Sequence, residues 1–256
     1  MSAVDVHYVV SGVNDGPVVV LSNSLGSTHR MWDAQARALG ERFTVVRYDT
    51  RGHGKSPVPP GPYFIDDLTD DLVRLLDRLG IQRAHVVGLS LGGMTAMRLA
   101  ARAPERVNRL ALLCTAAHLP PATDWRARAN TVRTHGAAAV ATPVVQRWFT
   151  QPFLNAHPEL RDYFEAMVAA TPAEGYAACC DAIANLDLRQ DLSAISAPTL
   201  VIAGADDPAT PPAKLEEIVA GISDSRLLVV EHAGHLANAE QPSIITSALI
   251  EHLERS

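Results

Sequence analysis

One stretch limits what this chain can become more than any other: Val86-Val87-Gly88-Leu89-Ser90-Leu91-Gly92-Gly93. An apolar, β-type run ends there in Gly-x-Ser-x-Gly, and a helix-forming segment from Met94 to Arg102 follows at once. A serine set between a strand and a helix on so few residues has to sit on a cramped turn, the arrangement called a nucleophile elbow. Gly88 and Gly92 leave room where a Cβ would crowd the serine, and Gly93 extends that clearance into the helix. At a helix N-terminus Ser90 also meets a local positive potential, which favours developing negative charge. Gly-x-Ser-x-Gly alone is a chance-level pattern in turns; the strand before it and the helix after it carry the reading.

With 256 residues, of which 47% are hydrophobic and 20% charged, the chain can bury a sizeable core as one large domain or a domain with an insertion. Its net charge of −6, with no basic run, argues against a nucleic-acid partner. The opening residues Met1-Ser2-Ala3-Val4-Asp5 lack the basic and apolar regions of a secretory signal. No apolar run approaches the ~18 residues of a membrane helix. Cys114, Cys179 and Cys180 fit neither a disulfide framework nor metal-binding spacing, and read as small packed side chains in a reducing compartment. The expectation is a soluble cytoplasmic protein that binds neither membrane nor nucleic acid.

Apolar β-rich runs recur at 7–10, 18–22, 43–48, 85–87 and 110–114, and again at 199–203 and 227–231. Several are continuous rather than alternating, as in central strands covered on both faces. Between them lie helical patterns, clearest over 66–79, where Leu68, Leu72, Leu75, Leu76 and Leu79 form one stripe that Gly80 ends. This alternation predicts an α/β fold with a mostly parallel central sheet flanked by helices. It breaks over 120–197, a stretch of helical segments punctuated by Pro143, Pro152, Pro158 and Pro172. Residues 1–119 and 198–256 are therefore expected to form the core, and 120–197 a helical cap over the C-terminal edge of the sheet, where such sheets place ligands.

Downstream of the elbow, Leu200 to Gly204 reads as a strand with Ala205-Asp206-Asp207-Pro208 leaving it, and Val229-Val230-Glu231 leads into His232-Ala233-Gly234-His235. Serine, acid and histidine in this chain order, each just past a strand, make a triad. Asp207 is preferred to Asp206, which then serves the turn, and His235 to His232. A metal role for the two histidines lacks a third ligand at suitable spacing. The chemistry needs each type: a serine hydroxyl requires a base within hydrogen-bond reach, an imidazole titrates near neutrality, and a carboxylate fixes its tautomer. The oxyanion requires two backbone donors, assigned to the N–H of Leu91, after the serine, and of Leu25, in the loop Leu21-Ser22-Asn23-Ser24-Leu25-Gly26.

Across nearly its whole length the chain resembles the 3-oxoadipate enol-lactonases of the α/β-hydrolase superfamily. The resemblance rests on that loop with Met31-Trp32-Asp33, on Arg47 to Gly54, on 57–63, on the elbow with Met94-Thr95-Ala96-Met97, and on Arg147-Trp148-Phe149-Thr150. Asn23-Ser24 stands where many α/β-hydrolases carry His-Gly; Leu91 stands where these lactonases often carry Met. The resemblance implies an α/β-hydrolase fold with a helical cap and hydrolysis of an enol-lactone to 3-oxoadipate through an acyl-enzyme, in the breakdown of protocatechuate or catechol, with no metal or organic cofactor. A small anionic lactone implies a cation in the cap, expected to be Arg133, with Trp125 or Trp148 walling the pocket and Arg128 on the other flank of the same helix. His118 is a further lining candidate, and Arg51 and His53 are expected to be structural turn residues. Rival readings are a broader esterase, perhydrolase or carbon–carbon bond hydrolase on the same triad, and a ligand-sensing receptor on this fold.

Overall fold

The computed structural model describes residues 2–255. Strands β1 (Tyr8–Gly12), β2 (Val18–Ser22), β3 (Thr44–Tyr48), β4 (Ala84–Leu89), β5 (Val107–Leu113), β6 (Thr199–Gly204) and β7 (Ser225–Val230) form one sheet in the order β1-β3-β2-β4-β5-β6-β7. Only β1 runs antiparallel to its neighbour. β4 and β6 are buried at every position, which is why their sequences are apolar without alternation. At the edge the pattern opens: Val229 of β7 is exposed.

Outside the stretch between β5 and β6 the helices are α1 (Asp33–Leu39), α2 (Ile65–Arg78) and α3 (Leu91–Arg102) before it, with α9 (Pro212–Gly221), α10 (Ala237–Glu240) and α11 (Pro242–Glu254) after it. α2 buries Leu68, Leu72, Leu75 and Leu76, and Gly80 ends it at φ +69°, a conformation that a β-carbon disfavours. Its leading acids tie it to α3, where Arg98 and Arg102 bond Asp66 and Asp70. Beneath, the fully buried Arg51 pairs with Asp71, Nη2 to Oδ1 at 2.6 Å, so that turn is anchored by a desolvated ion pair.

Between β5 and β6 come five helices, α4 (Ala122–His135), α5 (Ala138–Trp148), α6 (Gln151–Ala156), α7 (Pro158–Ala169) and α8 (Ala173–Ala184). α4 lies along α8, and α5 along α7. Phe149, Phe153 and Phe164 make an aromatic knot with ring centroids 5.1 Å apart in each of the two pairs that Phe149 forms. No helix among the described residues is long and apolar enough to cross a membrane.

Candidate active site

Ser90 stands between the end of β4 and the first turn of α3 with φ 55° and ψ −118°. That conformation costs a non-glycine residue about 1–3 kcal/mol and persists only where the surroundings hold it. They do: Ser90 N–H donates to Leu113 O at 3.0 Å, and Thr115 Oγ1 donates to Ser90 O at 2.7 Å. A β-carbon on Gly88 would lie 2.2 Å from Gly92 O, and one on Gly92 would lie 2.2 Å from Ser22 O. The turn is thus pressed against its own helix and against the end of β2, and the glycines are a steric requirement.

The loop after β6 buries Asp207 and leaves Asp206 exposed; the loop after β7 buries His235 and leaves His232 exposed. His235 Nδ1 lies 2.8 Å from Asp207 Oδ2. A carboxylate can only accept, so Nδ1 carries the proton and Nε2 is left free as a base. Asp207 Oδ1 accepts from the N–H groups of Ala209 (2.7 Å) and Thr210 (3.0 Å), and Oδ2 accepts from Thr210 Oγ1 (2.7 Å). Burial pushes the Asp207 carboxyl up, but His235 and the Thr210 donors outweigh it and bring the pKa down to about 2. Thr210 carries no motif signal that would single it out in sequence.

A second buried carboxylate locks the histidine loop to the helical stretch. Glu240 accepts from Gly234 N–H at 2.8 Å, from Thr150 N–H at 3.0 Å and from the Thr150 hydroxyl. On the other side of His235, Leu236 N–H donates to Trp148 O at 2.8 Å. His235 is therefore flanked on both sides by bonds that reach residues 148–150. Glu240 lies beyond the histidine motif, and only folding reveals its link to Thr150.

In the loop after β2, Ser24 N–H points to Met31 Sδ at 3.3 Å and Gly26 N–H donates to His53 Nε2 at 2.9 Å. The Leu25 N–H between them, like that of Leu91 in the first turn of α3, makes no hydrogen bond among the described residues. His53 is buried, which pushes its pKa down, and its Nδ1 faces Arg51 O at 3.2 Å, so Nε2 is an acceptor. The residue expected to serve only its own turn thus also holds the Leu25 loop. His7, His29 and Asp49 converge nearby, their ligand-type atoms within 4.8 Å of one another. Asp49 is occupied there in bonding His29 and the N–H of Lys55, which ties the loops together.

Ser90, His235, Ser24, Leu25 and Thr210 line one cavity, closed from the helical stretch by Leu119, Trp125, Arg128, Val144, Arg147, Trp148, Tyr176 and Ile183. Its free space is about 60 Å³. Trp125 and Trp148 take the lining positions expected of them. Arg133 does not: Nε bonds Glu174 at 3.1 Å and Nη2 bonds Asp181 at 2.6 Å, both acids on α8, and the side chain lies outside the lining. Five residues of helix separate Arg133 from Arg128, roughly 140° around the axis, so one faces α8 and the other the cavity. The Arg128 guanidinium stacks over the Trp125 ring at 4.7 Å and has no carboxylate partner among the described residues. His118 bridges to Asp187 outside the lining.

Residues 17–242 match the family model described as alpha/beta hydrolase fold. The chain is 42% identical to 3-oxoadipate enol-lactonase 2 of Acinetobacter baylyi over 252 residues, covering 98% of this chain and 94% of that one. Among solved structures it is similar to the enol-lactonase from Burkholderia xenovorans LB400, with a TM-score of 0.96, 40% identity, and 98% and 96% of the two chains covered. It is also similar to a thermophilic esterase from Thermogutta terrifontis in a malate-bound structure, with a TM-score of 0.92, 32% identity, and 97% and 92% covered.

Proposed function

This chain belongs to the α/β-hydrolase family and is a lactone or ester hydrolase, and we propose that its substrate is 3-oxoadipate enol-lactone, opened in the breakdown of aromatic compounds. Ser90 Oγ attacks the lactone carbonyl while His235 Nε2 takes its proton and Asp207 stabilises the imidazolium. The N–H groups of Leu25 and Leu91 receive the oxyanion, each worth ~3–4 kcal/mol in the transition state. The ring carbon–oxygen bond breaks, the enol oxygen takes the proton back from His235, and the acid stays esterified to Ser90. The released enol becomes a ketone, which removes the tethered nucleophile that could close the ring again. Water, deprotonated by His235, cleaves the ester and yields the open keto acid. Residues 120–197 act as the cap over a core of 1–119 and 198–256.

The observation that carries this reading is a single cavity holding Ser90, the Asp207-paired His235 and two arginines without an acidic partner among the described residues, the half-buried Arg128 stacked on Trp125 and the exposed Arg147, which reaches only Pro208 O at 3.5 Å. Arg128, the less exposed of the two and held over Trp125, takes the role that the sequence assigned to Arg133, binding the carboxylate of the substrate, with Trp125 and Trp148 as walls. A dicarboxylate seated in the malate-bound Thermogutta esterase supports an anionic ligand for this architecture. The test is a spectrophotometric assay on enzymatically generated enol-lactone beside a neutral aryl ester. The lactone is expected to have a kcat/KM at least about 100-fold higher, the size of a specific charge contact plus ring fit. Equal values would favour a broader esterase, and one slow turnover with retained product would favour a receptor.

A further inference from the structure

The cavity contains a second donor with no acceptor. Tyr176, on α8, is fully buried and lines the cavity with Ser90 and His235, and its hydroxyl proton has no acceptor among the described residues. A buried hydroxyl left unpaired costs about 1–3 kcal/mol, so its retention calls for a reason. The ring itself has a structural role, since a β-carbon on Gly26, in the oxyanion loop, would lie 2.9 Å from Tyr176 Cε2. That packing needs the ring and not the oxygen. Phenylalanine would do as well.

The Arg128 guanidinium flanks the Tyr176 oxygen, towards which it donates, so the phenolic proton is the part left without a partner. Both are donors: the guanidinium has only N–H groups, and burial pushes the phenol well above its ordinary pKa, keeping it protonated. No Asp or Glu lines the cavity. Two donors facing one space with no acceptor between them leave room for an oxygen anion. We propose that the Tyr176 hydroxyl is a substrate-reading group, which donates a hydrogen bond to the carboxylate that Arg128 neutralises and so sets the preference for an anionic ester or lactone. This rests on the cavity being the hydrolytic site.

Tyr176→Phe separates the packing role of the ring from the bonding role of its oxygen. The variant is expected to raise KM for the carboxylated lactone by about ten- to hundredfold, the range for losing a hydrogen bond to a charged group. Its kcat should stay within about twofold, its KM for a neutral aryl ester should not move, and its melting temperature should hold or rise. A six-carbon dicarboxylate should compete with the neutral ester in the wild-type enzyme at least about tenfold better than its dimethyl ester, and Tyr176→Phe should lose that advantage. Equal KM changes on both substrates, a lowered melting temperature, or inhibition that ignores the carboxylates would overturn the assignment. If the neutral ester is cleaved and the enol-lactone is not, the proposed substrate fails, while the inhibition measurements still decide the role of Tyr176.

Discussion

The strand ends and the helical stretch treat their polar groups in opposite ways. At the strand ends the side chains that hold His235 are tied, and only the backbone N–H groups of Leu25 and Leu91 stay open: Asp207 receives two N–H bonds, a hydroxyl and His235, and Glu240 receives Gly234 and Thr150. On the facing wall of the same cavity Arg128 lacks an acidic partner and the Tyr176 hydroxyl lacks an acceptor. The first arrangement removes freedom, so reacting atoms meet in one geometry. The second leaves donors without acceptors, and these are satisfied only when a ligand brings the missing oxygens. In the proposed reaction catalysis and recognition thus come from different parts of the chain, with Leu236–Trp148 and Glu240–Thr150 as the bonds that hold the two walls in register.

Substitutions can break this division, and the largest effect belongs to the tied side. Ser90→Ala should lower kcat by at least about 10⁴-fold on every substrate, since removing the nucleophile of a triad disables the whole unit. It should not lower stability, because the alanine keeps the backbone bonds to Leu113 and Thr115. Steady-state kinetics with a melting curve checks both. On the open side, Arg128→Met should raise KM for the anionic lactone by about 10–100-fold and leave the neutral ester unchanged. Substituting Arg133 instead should change either KM by less than about twofold, since its charge already faces Glu174 and Asp181. Swapped results for the two arginines would return the anion site to Arg133.

A smaller effect lies away from the cavity. Burial pushes His85 and His252 down to about 4, with help from neighbouring arginines. Their folded pKa values lie below the unfolded value near 6.5, so the stability they protect is fully present above pH 6.5. It is lost as pH falls through about 4, by on the order of 2–3 kcal/mol per histidine. Urea midpoints measured at pH 7, 5 and 4 should fall in that order, and a flat series would remove the buried neutral histidines from the account. Asp207, held at about 2, adds its own loss as pH falls from its ordinary value of 3.8 through about 2.

The same division explains what could be read in the sequence. The elbow was legible because backbone contact dictates it: Gly88 and Gly92 are fixed by what a β-carbon would strike. The strands were legible because both faces are covered, and α2 because its leucines share a face. Asp207 and His235 could be chosen over Asp206 and His232 from their distance past a strand. The helices over 122–184 were legible as helices, but not which way each one turns. Arg133 and Arg128 flank the same apolar stripe, and only the acids Glu174 and Asp181, 41 and 48 residues past Arg133, decide which of them points away. Tyr176 and Glu240 carry no local pattern, since their roles come from contacts far along the chain.

The central claim is that Ser90 opens a lactone ring and holds the product as an ester. Ring opening expels no fragment, so the acylated enzyme must gain the entire mass of the lactone. Rapid acid quenching of wild-type enzyme during turnover of the enol-lactone, followed by peptide mass mapping, reads this directly. The account predicts that full increment on the peptide containing Ser90, and its absence in Ser90→Ala. An adduct on another residue, or turnover that survives in Ser90→Ala, would contradict it.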